Sequence, residues 1–160
     1  DVSISAISVL TAYAGSRGII GVQVIDIQNV DNKDIKLETL MMLDNLKTGA
    51  LIEAACSLGC IAARANDDKI QAAKEFASNI GLAFQIKDDI LDVTSSFEKL
   101  GKAIGSDMEN GKTTYVTLLG VEECQKLVDK LTDEALKALD AFENNEALKE
   151  YALYLAKRDY

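Results

Sequence analysis

Apolar residues recur at three- and four-residue steps along almost the whole chain. Ile70, Ala73, Ala77, Ile80, Phe84 and Leu91 form one such series, and Val121, Cys124, Val128, Leu131, Ala135, Ala138 and Phe142 form another. Leu148, Tyr151, Ala152 and Leu155 make a shorter one near the end. This is the period of helices with one buried face, whereas half-buried strands alternate every second residue. The pattern predicts helices over residues 2–28, 37–65, 67–94, 115–143 and 146–158, and so an all-α fold. The lack of proline and the scarcity of alternating β-branched runs agree with it. Gly15, Gly18 and Gly21 lie on the first predicted helix, where the first two read as packing positions that permit a close helix contact.

One series is interrupted. Leu40, Leu43, Leu51, Ala54, Leu58 and Ile61 mark an apolar stripe, and Lys47 takes the slot where the next apolar residue belongs. Three readings are open. The lysine stem could lie along the apolar surface with its charge in water. The helix could break near Lys47-Thr48-Gly49, since glycine weakens helix interiors. Or the ammonium could point into a cavity that holds an anion.

A polar stripe stands at the end of the third predicted helix. Residues 84–92 read Phe-Gln-Ile-Lys-Asp-Asp-Ile-Leu-Asp. At about 100° per residue, Asp88 and Asp92 lie about 40° apart and one turn apart, with Gln85 about 20° beyond Asp92 and Asp89 about 40° beyond Gln85. Carboxylates one turn apart repel unless a cation sits between them. Hard oxygen ligands of this kind suit Mg²⁺, which takes one or two protein carboxylates and completes its shell with water and substrate phosphates. Asp88 lies only about 40° from the centre of the buried face as Phe84 defines it, so it is expected to point inward. A carboxylate there needs a cation or several donors. The other reading is a solvated acidic helix end.

Directly after the stripe, Gly101, Gly105 and Gly111 break the periodicity, and Lys99, Lys102 and Lys112 lie among them. Flexible backbone and ammonium groups beside an acidic metal site make a candidate diphosphate cradle, in which the metal bridges carboxylates to phosphate oxygens and the lysines neutralise the rest. The segment is not a P-loop, because it lacks G-x-x-x-x-G-K-[ST] after a strand. Taken alone, such a segment is more often a plain surface loop.

Composition narrows the function further. The chain has 160 residues, 48% of them apolar, enough to bury a core. A net charge of −9 argues against nucleic acid, which needs a basic face, and against electrostatic membrane binding. No apolar run approaches the length of a transmembrane span. Cys56, Cys60 and Cys124 do not suggest a disulfide framework, and buried thiols in a reducing cytoplasm are the expectation. The chain has no histidine, which makes zinc improbable and removes the usual general base and any Ser-His or Cys-His pair.

Three ordered motifs carry a resemblance. Lys47-Thr48-Gly49-Ala50-Leu51, then Phe84-Gln85-x-x-Asp88-Asp89-x-x-Asp92, then Leu100-Gly101-Lys102-x-x-Gly105-Ser106-Asp107-x-x-x-Gly111-Lys112-x-Thr114-Tyr115 resemble the second half of a trans-type isoprenyl diphosphate synthase, the family of farnesyl and geranylgeranyl diphosphate synthases. The likeness extends from Gly21-x-Gln23-x-x-Asp26 to Leu155-x-x-Arg158-Asp159. It departs from the family at Val22, where a glycine is common, and at Val116, where a proline is common. The family's first aspartate-rich motif has no counterpart here, since Asp31 to Asp34 does not resemble it. The chain therefore reads as about the last half of a synthase, residues 1–160 being the C-terminal helices of one all-helical domain.

The resemblance implies a prenyltransferase that condenses isopentenyl diphosphate with an allylic diphosphate, using Mg²⁺. It implies Asp88 as a direct metal ligand, Asp92 acting through the metal's water and Asp89 orienting that shell. It implies Lys47 and Lys102 as holders of the allylic diphosphate, and Gln23, Thr48 and Gln85 as cavity-lining residues. Lys112 matches the motif as a further substrate contact. A homodimer, or pairing with the missing N-terminal half, is implied as well, and residues 1–160 alone are expected to be inactive, with the inward faces around Phe84 and Leu51 exposed. An alternative from a different class is a noncatalytic half-length subunit or remnant that binds a partner through its helices.

Overall fold

The computed structural model describes residues 1–16, 18–28, 35–95 and 113–159, apart from the side chains of Asp26 and Gln28. Among these residues every regular element is helical. In chain order they are α1 (Val2–Ala14), α2 (Ile19–Gln28), α3 (Leu37–Asp44), a π-helical turn (Asn45–Gly49), α4 (Ala50–Ala62), α5 (Asp67–Thr94), α6 (Tyr115–Leu119), α7 (Val121–Ala138), a 3₁₀ turn (Leu139–Ala141) and α8 (Glu146–Lys157).

Several starts are set by capping chemistry. The Asn66 side chain accepts a hydrogen bond from the Lys69 amide at 3.0 Å, and Asp67 and Asp68 occupy the first turn of α5, where negative charge favours the helix dipole. Thr114 and Thr117 cap α6 reciprocally: the Thr117 amide donates to Thr114 Oγ1 at 3.2 Å, and the Thr114 amide donates to Thr117 Oγ1 at 2.9 Å.

Helix α5 is the axis of the bundle. It contacts α3, α4, the π turn, α6, α7, the 3₁₀ turn and α8. Toward its C-terminal half, Leu82, Ala83, Ile86 and Ile90 join Leu40, Tyr115, Cys124, Val128 and Leu131 in one apolar cluster. Nearer its start, Phe76 and Ile80 join Ala135, Leu139 and Ala152 in another. The α1–α4 side is tied by the Tyr13 hydroxyl, which donates to Glu53 Oε2 at 2.7 Å. Partial burial, with that carboxylate beside it, pushes the Tyr13 hydroxyl up to about 12.

Two expected helices are divided and a third changes its winding. The first breaks between Ala14 and Ile19, so Gly15 and Gly18 belong to a turn rather than to a helix–helix contact. The fourth breaks at Gly120, whose φ of 80° lies in the left-handed region, and it ends in the 3₁₀ turn. The second is continuous but widens into the π turn at Asn45–Gly49. A pattern of apolar spacing reports that a helix is present, and a local change of winding leaves it nearly intact.

The π turn is seated on α5 by two glycines. A Cβ on Gly81 would stand 3.3 Å from Gly49 Cα and 3.3 Å from Ile52 Cδ1. The backbones meet there because neither helix carries a side chain at the contact. Gly81→Val is expected to lower stability by about 1–3 kcal/mol through overpacking, read by chemical denaturation. A variant as stable as the parent would show that the two helices separate at no cost.

Candidate metal and diphosphate site

The three aspartates share one helix but have three different environments. Asp92 is buried, 2% exposed, whereas the Asp88 side chain is 47% exposed. Asp88 was expected to be the inward one. The reason for the difference is that Phe84 is not the centre of the buried face: it is half-buried, while Ile86, Ile90 and Leu91 are buried. Ile86 and Ile90 pack with residues of α6 and α7, so the apolar face of α5 is centred on that side and not on Phe84.

Asp88 is ion-paired with Arg158, the residue that caps the C-terminus of α8. One guanidinium nitrogen of Arg158 donates both to Asp88 Oδ1 and to the Phe84 carbonyl, the latter at 3.1 Å. The guanidinium also lies over the Phe84 ring, 3.9 Å from its centroid. Its side chain is 13% exposed. The adjacent Asp159 carbonyl accepts from Ser95 Oγ at 3.4 Å, so the end of α8 is fastened along the last two turns of α5. Lys87, one residue before Asp88, donates to Gln125 Oε1 at 3.2 Å. Burial lowers the Lys87 pKa; Asp129 and Asp159 act to raise it, and Arg158 to lower it.

Asp89 has a structural bond. Its Oδ2 accepts from the Tyr115 amide at 2.8 Å, at the first residue of α6. That amide is one of the donors a helix start leaves unpaired, and a carboxylate there is favoured by the helix dipole. The Tyr115 ring is 1% exposed. Burial first, then the Asp44 carboxylate and Asp89, hold its hydroxyl well above the usual tyrosine range.

Lys47 and Thr48 stand on the π turn, both half-buried. The helix does not break at Lys47; the wider winding is what displaces the lysine from a regular apolar slot. Beyond it the buried side of α4 is carried by Ala50, Ala54 and Ser57, and Leu51 is 48% exposed. Because Gly49 rests on Gly81, the turn meets α5 one turn before Gln85, which is half-buried. Gln23 is exposed on α2, and α2 contacts the π turn. Lys102 and Lys112, with the rest of the Gly/Lys segment, lie outside the described residues.

The donors of the stripe suit a hard divalent cation: three carboxylates and an amide oxygen, with no softer ligand among them. Among the described residues they do not form a ready cluster of three ligands. Asp88 faces Arg158 and Asp89 faces the Tyr115 amide. Mg²⁺ does not need such a cluster, because water and phosphate supply most of its shell. Sequence patterning pointed to the stripe and the lysine, but assigned no role to Arg158. Its partners lie 70 and 74 residues away, and nothing in local spacing signals them.

Known proteins resemble the chain in sequence and in fold. The polyprenyl synthetase family model matches residues 5–155. A farnesyl diphosphate synthase of Micrococcus luteus is 41% identical over 162 residues, a match covering 99% of this chain and 55% of that protein. A putative farnesyl-diphosphate synthase from Marinomonas sp. MED121 superposes with a TM-score of 0.81 at 30% identity, covering 98% of this chain and 53% of that one. A geranyltransferase from Helicobacter pylori, complexed with magnesium and isoprenyl diphosphate, gives 0.75 at 32% identity, covering 97% of this chain and 50% of that one. The chain thus spans about half the length of the relatives it matches. With the family model covering nearly all of its residues, the chain belongs to the polyprenyl synthetase family.

Proposed function

We propose that the protein to which this chain belongs condenses isopentenyl diphosphate with an allylic diphosphate, and that residues 1–160 supply its second aspartate-rich motif. The observation that carries the reading is the Gln85–Asp92 stripe on α5, beside the turn bearing Lys47 and Thr48, inside a chain matched by the family model over residues 5–155. Asp88, Asp89 and Asp92 would hold Mg²⁺. When bound, the ion supplies positive charge that makes a diphosphate a better leaving group.

The chain's own residues do the rest. Lys47 and Lys102 hold the allylic diphosphate and neutralise the charge that grows on it as the carbon–oxygen bond breaks. Lys112 adds to that charge. Gln23, Thr48 and Gln85 line the cavity near the reacting carbon. The allylic cation is attacked by the double bond of isopentenyl diphosphate, and the proton then lost passes to the departed diphosphate. No histidine is required, and the chain has none.

Exposed apolar side chains on α1 and α2, with Ile4 at 68%, Ile7 at 63%, Ile20 at 59% and Ile27 at 64%, support a partner surface, either a second copy or the N-terminal half. No described helix is long and apolar enough to cross a membrane. The free thiols of Cys56, Cys60 and Cys124 favour a reducing, cytoplasmic setting.

The direct test is condensation of radiolabelled isopentenyl diphosphate with dimethylallyl or geranyl diphosphate by the full-length protein. Asp88→Asn is expected to lower turnover by orders of magnitude. It also strips Arg158 of its ion pair, so it should cost on the order of 1 kcal/mol of stability, where relief of carboxylate repulsion alone would have made it neutral or stabilising. Asp89→Ala removes the bond to the Tyr115 amide and should cost about 0.5–2 kcal/mol. Normal turnover in Asp88→Asn would make that residue purely structural.

Lys47→Ala and Lys102→Ala should each weaken an allylic diphosphate by roughly tenfold or more, as loss of a charge-assisted contact implies, and weaken the matching alcohol far less. Equal losses for the two ligands would indicate collapse of the pocket instead.

Residues 1–160 expressed alone should form no product in the same assay and should self-associate in sedimentation. Steady condensation by the purified 160-residue chain would mean that one aspartate motif suffices.

A further inference from the structure

We propose that the corner between α4 and α5 is a second ligand site, separate from the aspartate stripe, that takes a phosphate or diphosphate ester with an apolar or planar body. A cavity of about 570 Å³ opens at this corner, and Gly59, Cys60, Ala63, Arg64, Lys69 and Phe142 are among its lining residues. That volume lies within the range of small-molecule sites, about 300–1,000 Å³. No carboxylate lines the cavity, although the chain as a whole carries a net charge of −9. Asp67 and Asp68 are exposed on the first turn of α5. Among the described residues, no carboxylate is ion-paired with Arg64 or Lys69. The helical rise places Lys69 about 28 Å from Asp88 along α5, so the site does not rest on the metal reading above.

The backbone around this cavity runs against local preference twice. Arg64 follows the end of α4 with a φ of 54°. The Ala65 amide donates to the Cys60 carbonyl at 2.9 Å, and the Arg64 amide donates to the Ile61 carbonyl at 3.0 Å. This is the helix-ending motif in which glycine is the usual residue at the left-handed position, since a Cβ is costly there. Gly59 lies one turn earlier, inside α4, where an added Cβ would meet no atom within 4 Å. Alanine would fit at that position and favour the helix. Glycine thus stands where a side chain is favoured, and arginine where glycine is favoured, and both line one cavity. Backbone strain that local packing does not require is characteristic of ligand clamps. Arg64 and Lys69 supply two charged donors, and a planar guanidinium matches phosphate oxygens. Cys60, Ala63 and Phe142 supply an apolar wall for the rest of the ligand, and the bare side of Gly59 leaves it room. Cys60 Sγ donates to the Lys69 carbonyl at 3.9 Å. Burial raises the Cys60 pKa and the Lys69 ammonium acts to lower it, so the charge of Lys69 reaches that wall.

Cys60 reports on occupancy. Maleimide labelling of the full-length protein is read at each cysteine by peptide mass spectrometry. Geranyl diphosphate or AMP should slow labelling at Cys60, and geraniol and adenosine should do so far less. Cys56, which does not line the cavity, is the internal control. The tighter of the two esters tells whether the body is an isoprenoid chain or a base. Lys69→Gln and Arg64→Gly should each raise the half-protecting concentration by roughly tenfold or more, as loss of a charge-assisted contact implies, with condensation at low substrate unchanged. Arg64→Gly should also melt at the same temperature as the parent or higher, because glycine relieves the left-handed strain. Four results each overturn the site: no protection of Cys60 by either ester, protection matched by the unphosphorylated compounds, protection that neither variant weakens, or a lower melting temperature in Arg64→Gly, which would make that arginine a stabilising residue. The first two need no variant to fold.

Discussion

One helix has to be buried on several sides and still present carboxylates at its end. Helix α5 runs from Asp67 to Thr94 and touches most of the bundle. Its first half meets these demands with alanine, isoleucine and phenylalanine, and with Gly81, where the backbone of the π turn comes to rest. Its last turns carry Asp88, Asp89 and Asp92 into the same packing. Two of the carboxylates are then settled by what the neighbouring elements bring, an arginine from the end of α8 for Asp88 and the start of α6 for Asp89, while Asp92 is buried. Burying ionised groups is costly unless they are paired or ligated, so the elements around α5 are arranged by its charges as much as by its apolar face.

The pairing of Asp88 with Arg158 links the acidic stripe to the far end of the chain. In water such a pair would contribute little. Here the guanidinium is largely buried and is also held against the Phe84 ring and carbonyl. A group that is expensive to leave unpaired makes its partner's other commitments matter.

The apolar surface of α1 and α2 has a related meaning. Ile4, Ile7, Leu10, Ile20, Ile25 and Ile27 are exposed, whereas the apolar residues shared by α5 and α7 are buried. A chain that covers about half of its relatives' length would be expected to show such faces, since each helix of a bundle hides its stripe against a neighbour. Leu51, at 48% exposed, and half-buried Phe84 behave the same way at the inward side. Phe84 is less bare because Arg158 lies over it.

The sequence by itself determined the helices and the motif. The spacing of Ile70 through Leu91 predicted residues 67–94, which match α5, and the series from Val121 to Ala135 predicted the core of α7. Apolar periodicity is a local signal and survives in any context that buries one face. The aspartate stripe was legible for the same reason, since helix geometry alone aligns Gln85, Asp88 and Asp92. What only the tertiary structure decided was the state of each side chain. Which aspartate is buried depends on how the neighbouring elements pack around α5, which is not encoded in the spacing of α5. The oddity at Lys47 was visible, but its cause, a π turn pressed against Gly81, required the second helix. Arg158 reaches Asp88 across 70 residues, and a contact of that range is chosen by the packing of whole elements rather than by any pattern near either residue.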